Sequence, residues 1–156
     1  MTEAGGNPAV YVDANPFIYL IEGGDDIASI MRELFDLLRA KPQLAATSEL
    51  TIAEVLVKAR SPIHRRSYLD LIVWSRSISL IPVSRDLLIE TADYRRVSTS
   101  SGSSTPKLPD AIHAVTAVRS GCRFFLSNDT RIKLPAEIRQ FAPTPHDTAA
   151  LMKELR

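Results

Sequence analysis

Two short apolar runs, AVYV at residues 9–12 and CRFFL at residues 122–126, each lead into an acidic residue. The first run ends at Asp13, and the second is followed by Ser127, Asn128 and Asp129. Because valine, tyrosine and phenylalanine favour β-structure, both runs predict buried strands. The carboxyl ends of parallel strands meet at one edge of a sheet. We therefore expect Asp13 and Asp129 to lie on the same edge.

Helical and strand patterns alternate between these two runs, which predicts a parallel sheet with helices on both faces. The Asn15-Pro16 pair is predicted to break the first strand. Residues 98–106, rich in Ser, Thr and Gly, predict a mobile loop. We expect a flexible N-terminus over residues 1–8 and one domain over residues 9–156. The other predicted strands are 43–46 and 78–83, and the predicted helices are 25–38, 51–59 (with start signals at Thr47, Ser48 and Thr51), 61–74, 85–97, 109–120 and 146–156.

The composition is that of an ordinary globular protein: 156 residues, 45% hydrophobic and 24% charged. This excludes a disordered or fibrous chain. With a formal net charge of +1, any affinity for nucleic acid must come from a local patch. The single cysteine, Cys122, excludes an internal disulfide framework and a thiolate metal site, and we expect it to be a small buried residue. No apolar run is long enough to cross a bilayer, so we expect a soluble, cytoplasmic protein with no membrane partner.

Two of the predicted helices are apolar on nearly every side, and each carries one narrow polar stripe. In helix 51–59 the stripe is Thr51, Glu54 and Lys58; in helix 109–120 it is Asp110, His113 and Thr116. Helices this apolar are expected to be largely buried. A carboxylate on such a helix is costly to bury unless it meets a cation or hydrogen-bond donors.

These two carboxylates have a structural interpretation as well as a functional one. Thr51-x-x-Glu54 has the form of a capping box, and Asp110 behind Pro109 suits the first turn of a helix. For either residue alone, capping is the better interpretation. Together with Asp13 and Asp129, however, they would bring four acids to one sheet edge, where the sequence supplies no matching cluster of Lys or Arg. Such a set requires a hard cation, Mg²⁺ or Mn²⁺ rather than Zn²⁺, because no His or Cys pair has suitable spacing.

Four segments, YVDANPFIYL, TSELTIAEVL, KLPDAIHAVTAVRSG and FFLSNDTRI, resemble those of the PIN domain, a compact metal-dependent nuclease fold. The chain's size resembles the toxins of bacterial VapBC toxin–antitoxin pairs. The resemblance implies a three-layer α/β/α fold with a central parallel sheet, commonly dimeric. It implies that the catalytic residues, which hold Mg²⁺ or Mn²⁺, are Asp13, Glu54, Asp110 and Asp129. Asn15 and Ser127 would support the site, and Glu49 is a rival to Glu54.

The function implied by this resemblance is metal-dependent endoribonuclease, acting as the toxin of a type II pair, with RNA as substrate and a cognate antitoxin as partner. The residues themselves leave two alternative functions open. A phosphohydrolase of the haloacid dehalogenase type is suggested by an acid after the first strand, but Asp13-Ala14-Asn15 lacks that class's second aspartate. A non-catalytic PIN-like module that binds RNA or a protein is disfavoured by the complete acidic quartet.

An RNA substrate also needs cations beside the acids. Two basic stretches are weak candidates, the alternative being ordinary solvated helix faces: Lys58, Arg60, Arg65 and Arg66 in the first, and Arg95, Arg96 and Lys107 in the second. His113 is predicted to be a buried, hydrogen-bonded residue rather than a general base. Tyr19, Tyr68 and Trp74 are candidates for base stacking, but Tyr68 and Trp74 are expected to pack in the core or at a dimer contact.

Overall fold

The structure, a computed structural model, describes residues 6–102 and 104–156. Its strands form one parallel sheet in the order β3-β2-β1-β4-β5, so the first strand of the chain lies at the centre. The strands are β1 Val10–Val12, β2 Ala45–Ser48, β3 Ile78–Ile81, β4 Phe124–Leu126 and β5 Arg139–Phe141. The helices are α1 Ala14–Glu22, α2 Asp25–Ala40, α3 Leu50–Leu56, α4 Pro62–Leu69, α5 Arg85–Ser100, α6 Leu108–Arg119 and α7 Pro145–Leu155, with a π-helical turn at Asp70–Trp74.

Alternate residues of the central strand serve two separate cores. Val10 and Val12 pack with α1, α2 and α7, whereas Tyr11 faces the other side of the sheet and packs against α6. This period of two is what a strand buried on both faces requires. The predicted three-layer α/β/α arrangement is therefore confirmed, with α1–α4 and α7 on one face and α5 and α6 on the other.

The register of the sheet determines where the carboxyl ends of β1 and β4 lie relative to each other. Val12 of β1 lies opposite Leu126 of β4, so both strands end at the same height. The backbone N–H of Asp13 donates to the carbonyl of Leu126 at 3.0 Å, which ties the two strand ends together. Asp13 and Ser127 consequently leave the sheet side by side. The expectation that residues after β1 and β4 meet on one edge is correct.

Helix α1 was not predicted by the sequence pattern. It begins directly after β1 because the Oδ1 atom of Asp13 accepts the backbone N–H of Ala14 at 2.7 Å and caps the helix. Pro16 lies in the first turn, where a missing N–H breaks no helical hydrogen bond. Asn15-Pro16 does follow the end of the strand, but as helix rather than loop.

The predicted loop at 98–106 is wrong at its start, because α5 continues to Ser100. The side chains of three residues there each donate to the carbonyl four positions back: Ser98 to Tyr94, Thr99 to Arg95 and Ser100 to Arg96. These bonds give hydroxyl groups a partner within the helix, which composition alone does not reveal. Ser103 lies outside the described residues.

The smaller differences between the structure and the sequence predictions concern where helices and strands end and how exposed certain side chains are. β2 extends to Ser48, so Thr47 and Ser48 belong to a strand and not to a helix start, and β5 was not predicted. α3 ends at Leu56, and Val57 is 79% exposed, so this helix is less buried than expected. Tyr68 and Cys122 are buried as predicted, whereas Trp74 is 58% exposed and does not pack in the core. No described helix is long and apolar enough to cross a bilayer.

Candidate active site

Asp13 is the most firmly held acid at the carboxyl edge of the sheet. Its side chain is only 9% exposed, and each oxygen accepts a hydrogen bond. Oδ1 accepts the N–H of Ala14, and Oδ2 accepts the Ser127 hydroxyl at 2.7 Å. The same hydroxyl oxygen accepts the backbone N–H of Asp129 at 3.0 Å. Ser127 thus fixes the position of Asp13 and of the turn that carries Asp129.

Glu54 and Asp13 are brought together by a histidine. His113 is 1% exposed, and its Nε2 lies 2.5 Å from Oε1 of Glu54 and 3.3 Å from Oδ1 of Asp13. Its other ring nitrogen, Nδ1, is hydrogen-bonded to the Tyr11 hydroxyl at 2.5 Å. The prediction that His113 is buried and hydrogen-bonded is confirmed. Its contact with two predicted metal ligands was missed, although its place one turn after Asp110 was visible in the sequence.

The electrostatics of His113 reflect this position between acids. Burial is the largest influence and lowers its pKa, but the hydrogen bond to Glu54 and the charges of Asp13, Glu54 and Asp110 together outweigh it. The pKa of His113 is therefore raised. Burial, followed by the charge of Asp13, raises the pKa of the Tyr11 phenol well above its ordinary value. Tyr11 therefore stays a neutral hydroxyl that orients the imidazole.

Electrostatic interactions also link the other two predicted acids to this edge: the charges of Asp129 and Asp13 both act on Asp110. Burial raises the pKa of Asp110, and the charges of Asp129 and Asp13 raise it further. Asp129 behaves oppositely: hydrogen bonds from Arg131 lower its pKa against the effect of burial. Arg131 binds both carboxylate oxygens of Asp129, Nε to Oδ1 at 3.1 Å and Nη2 to Oδ2 at 3.3 Å. One arginine, Arg131, therefore pairs with Asp129, although the sequence pattern indicates no cluster of Lys or Arg beside the acids.

Neither acid-bearing helix uses its acid as a side-chain cap. Glu49 occupies the cap position of α3 without a side-chain cap hydrogen bond, and the Glu54 carboxylate bonds to His113 instead of to backbone donors. The Thr51 hydroxyl bonds to the Thr47 hydroxyl at 2.8 Å. The capping-box interpretation is therefore wrong. Lys107 is the cap residue of α6, which leaves Asp110 in its first turn.

The remaining predicted residues lie around this edge or away from it. Asn15 lines an open groove of about 370 Å³ together with Asn128–Arg131. Several of the basic candidates have partners: the Arg60 backbone donates to Glu22, Arg66 lies 4.0 Å from Asp70, Arg95 donates to the Pro106 carbonyl, and Arg96 lies 3.6 Å from Asp93. Lys58 and Arg65 are exposed. The charge of Lys107 acts on Asp110 and Asp129, so it lies beside the acids.

The donor set fits a hard divalent cation. One ligand atom each of Asp13, Glu54 and His113 lies within 4.8 Å of the other two. The Nε2 atom of His113 faces two carboxylates, and a nitrogen that donates its proton to them has no lone pair for a metal. This leaves carboxylate oxygens, which Mg²⁺ and Mn²⁺ prefer. Several acids within electrostatic reach of one another at one edge can hold such an ion and repel when it is absent.

Comparison with known proteins agrees with this architecture. The family model of the PIN domain matches residues 10–138. The solved structures similar in fold include the toxin–antitoxin complex from Klebsiella pneumoniae (23% identity, 83% of this chain and 94% of that one, TM-score 0.59) and VapC20 from Mycobacterium tuberculosis, a sarcin–ricin loop cleaving toxin (16%, 80% and 92%, TM-score 0.63). A third is DNA-bound VapBC from Salmonella typhimurium (20%, 87% and 98%, TM-score 0.62). No match was found among curated protein sequences.

The family model spans most of the chain, including β1 to β4 and the four acids at their carboxyl edge. The similarity to the structures above covers at least 80% of this chain. The chain therefore belongs to the PIN domain family.

Proposed function

We propose that the protein is a metal-dependent endoribonuclease that hydrolyses RNA phosphodiester bonds, with Asp13, Glu54, Asp110 and Asp129 as its catalytic, metal-holding residues. The observation that carries the proposal is that the acids meet at one sheet edge: Asp13 and Glu54 both contact the buried His113, and the charges of Asp129 and Asp13 act on Asp110. Membership of the PIN family supports the same chemistry, since it is a nuclease fold.

The four acids are the residues that would hold Mg²⁺ or Mn²⁺. A bound divalent ion supplies an activated water and neutralises charge on the scissile phosphate. The protein's own residues prepare the ligands for this role. Ser127 and the N–H of Ala14 hold Asp13 in one orientation. His113, itself oriented by Tyr11, holds Glu54 at the same edge.

We further propose that the protein is the toxin of a type II toxin–antitoxin pair, with a cognate antitoxin as its protein partner, acting in the cytoplasm as one domain over residues 9–156. The support is the fold shared with a toxin–antitoxin complex and with VapC20, named as a sarcin–ricin loop cleaving toxin. A homodimer belongs to this proposal. It is supported by the apolar surface of α5 and α6, where Val97 is 66% exposed and Val118 47% exposed.

The test is cleavage of total bacterial RNA by purified protein with Mg²⁺, with Mn²⁺ and with a chelator. Cleavage is expected only with metal, and Asp13→Asn is expected to remove it while the circular dichroism spectrum is retained. Asp36→Asn, an exposed acid on α2 paired with Arg39, is the matched control and should keep full activity. RNA binding without cleavage would favour the non-catalytic module, and release of phosphate from phosphomonoesters would favour a phosphohydrolase. Full activity of folded Asp13→Asn would contradict the proposal.

A further inference from the structure

A small second pocket opens directly beside the acidic edge. One wall is the start of α6, with Lys107 and Asp110; a second is Tyr94 of α5; a third is the segment Arg131–Lys133 that follows β4, and residues 104–106 close it. Its volume is about 170 Å³. Pockets for drug-sized ligands begin at about 300 Å³, so this one suits a group the size of a phosphate rather than a whole nucleotide.

The charged residues that line the pocket are one acid, which lies at the acidic edge, and three cations. Asp110 is the pocket's connection to the metal-holding acids, and the other charged residues that line it are Lys107, Arg131 and Lys133. All three cations are on exposed residues. The charge of Lys107 lowers the pKa of both Asp110 and Asp129, so its ammonium group acts on the acidic edge from this side. Cations at an acidic nuclease site are what a polyanionic substrate requires.

The walls of this pocket are fixed by hydrogen bonds from α5. The Tyr94 hydroxyl donates to the Lys133 carbonyl at 2.7 Å, and Arg95 Nε donates to the Pro106 carbonyl at 3.0 Å. Ile132 is buried at 7% exposure and packs into the core beneath α6. Both lysines are therefore carried by backbone segments held against the helix, and less conformational freedom is lost when a ligand binds.

We propose that this pocket, with Lys107 and Lys133 as its binding residues, holds a backbone phosphate of the RNA next to the one that is cleaved. The inference rests on the proposed function, because it places the pocket beside the acids that would cut the chain. A phosphate carries no base identity, so this contact fixes the position of the strand and is tolerant of sequence. The pocket's adjacency to Asp110 sets the contact one or a few linkages from the scissile bond.

The alternative role of these lysines is to offset the negative charge of Asp110 and Asp129 without touching RNA. The two roles differ in the salt dependence of RNA binding. Each cation that neutralises a phosphate of single-stranded nucleic acid adds about 0.7 to the slope of log K against log salt. If affinity at 1 M salt is unchanged, losing one such contact weakens binding about fivefold at 0.1 M salt, and losing two weakens it about 25-fold.

The experiment measures binding of a fluorescein-labelled, mixed-sequence single-stranded RNA by anisotropy, in chelator so that no cleavage occurs, between 0.05 and roughly 0.3 M salt. The variants are Lys107→Gln, Lys133→Gln and the double variant. Lys153→Gln on α7, an exposed lysine on the opposite helical layer, is the matched control. Arg131 is left unchanged because it also binds Asp129. Each single change is expected to lower the slope by about 0.7, and the control is expected to leave it unaltered.

Slopes equal to wild type in both single variants, or equal losses in Lys153→Gln, would overturn the pocket proposal, as would a wild-type protein that binds no RNA. A changed response of the melting temperature to Mn²⁺ with an unchanged RNA slope would assign the lysines to charge balance instead. The proposed nuclease function is decided separately by metal-dependent cleavage in the same protein preparation. Metal-dependent cleavage together with wild-type slopes in the lysine variants would contradict the pocket proposal alone. The expected slope losses without any cleavage would contradict the nuclease proposal alone.

Discussion

Two acids of this protein, Glu22 and Asp110, lie in contrasting surroundings. The Glu22 side chain at the end of α1 is only 4% exposed, and it accepts hydrogen bonds from the Tyr68 hydroxyl at 2.5 Å and the Arg60 N–H at 2.8 Å. His64 Nδ1 lies 3.1 Å from it. Burial raises the pKa of Glu22, but these partners outweigh burial and the pKa is lowered. Asp110 instead has a raised pKa, from burial and then from Asp129 and Asp13.

The partners of the two carboxylates, and not their burial, separate Glu22 as a structural group from Asp110 as a proposed metal ligand. Glu22 is surrounded by donors, so its charge is satisfied within the fold and joins α1 to α4. Asp110 meets other acids, and their charges together with burial outweigh those of His113 and Lys107, so an added cation would stabilise its charged form. Perturbed groups that remain uncompensated are typical of sites that bind or react. Each prediction below changes one of these two surroundings.

The largest expected effect is on activity. Asp110→Asn removes one of the proposed metal ligands, whereas Glu22→Gln removes a charge that is hydrogen-bonded within the fold, outside the acidic edge. Since loss of a group that only supports a metal ligand costs about 10–100-fold, loss of a ligand should cost more than about a hundredfold in RNA cleavage. Growth arrest on induction in a bacterial host should likewise be relieved by Asp110→Asn and not by Glu22→Gln. Equal arrest by wild type and Asp110→Asn would indicate expression stress rather than nuclease action.

The second prediction concerns the melting temperature with metal. Mn²⁺ at about a hundred times its dissociation constant should stabilise the wild type by about 2.7 kcal/mol, because the unfolded chain has no preformed site. Glu54→Gln, Asp110→Asn and Asp129→Asn should each reduce this gain, and Glu22→Gln should leave it intact. Thermal melts with Mn²⁺ and with chelator measure it. An equal gain in all variants would mean that the acids do not share a metal.

In the absence of metal, the free energy of unfolding should respond differently to substitution of the two acids. Glu22→Gln leaves one oxygen where two accepted hydrogen bonds, so it should cost about 1–3 kcal/mol. Asp110→Asn relieves repulsion from Asp129 and Asp13 and should leave the chelated protein equally or more stable. Urea unfolding in chelator measures both. A loss at Asp110→Asn as large as that at Glu22→Gln would assign Asp110 a structural role in its helix.

The smallest expected effect is a change, at acidic pH, in the stability difference between wild type and Glu22→Gln. Because the pKa of Glu22 is lower in the folded protein than in the unfolded chain, its stabilising contribution is present in full above the unfolded pKa. It is lost as pH falls through the folded pKa. The stability difference between wild type and Glu22→Gln should therefore be constant near neutral pH and shrink below about pH 4.3. Unfolding at pH 7 and in acid checks this, and a difference that persists unchanged in acid would show that the carboxylate's charge is not its source.

Much of the fold was predictable, because β1 and β4 are dense in β-favouring residues and α6 is apolar on nearly every side. The four acids could be proposed together from their positions after strands and at helix starts. α1 escaped prediction because its start depends on the cap that Asp13 provides, and the Asn15-Pro16 pair directly after it is typical of a break. β5, with the sequence RQF, has too few apolar residues to signal a strand. His113 was missed as a partner of the acids because its contacts with Asp13 and Glu54 depend on tertiary packing. Arg131 lies only two residues after Asp129, and its pairing was missed because it depends on the local backbone conformation after β4.

The central place of β1 also has a consequence for the order of events during synthesis. The strand made first pairs with β4, and the hydrogen bond from Ser127 to Asp13 joins residues 114 positions apart. A nascent chain cannot fix Asp13 through Ser127 until residue 127 has left the ribosome, and its sheet is complete only after β5 has followed. Long-range pairing of this kind forms late because distant segments must first meet. The acidic edge is therefore assembled only after β4 has been made, and Asp13 lacks its Ser127 partner while residues 14–126 are synthesised.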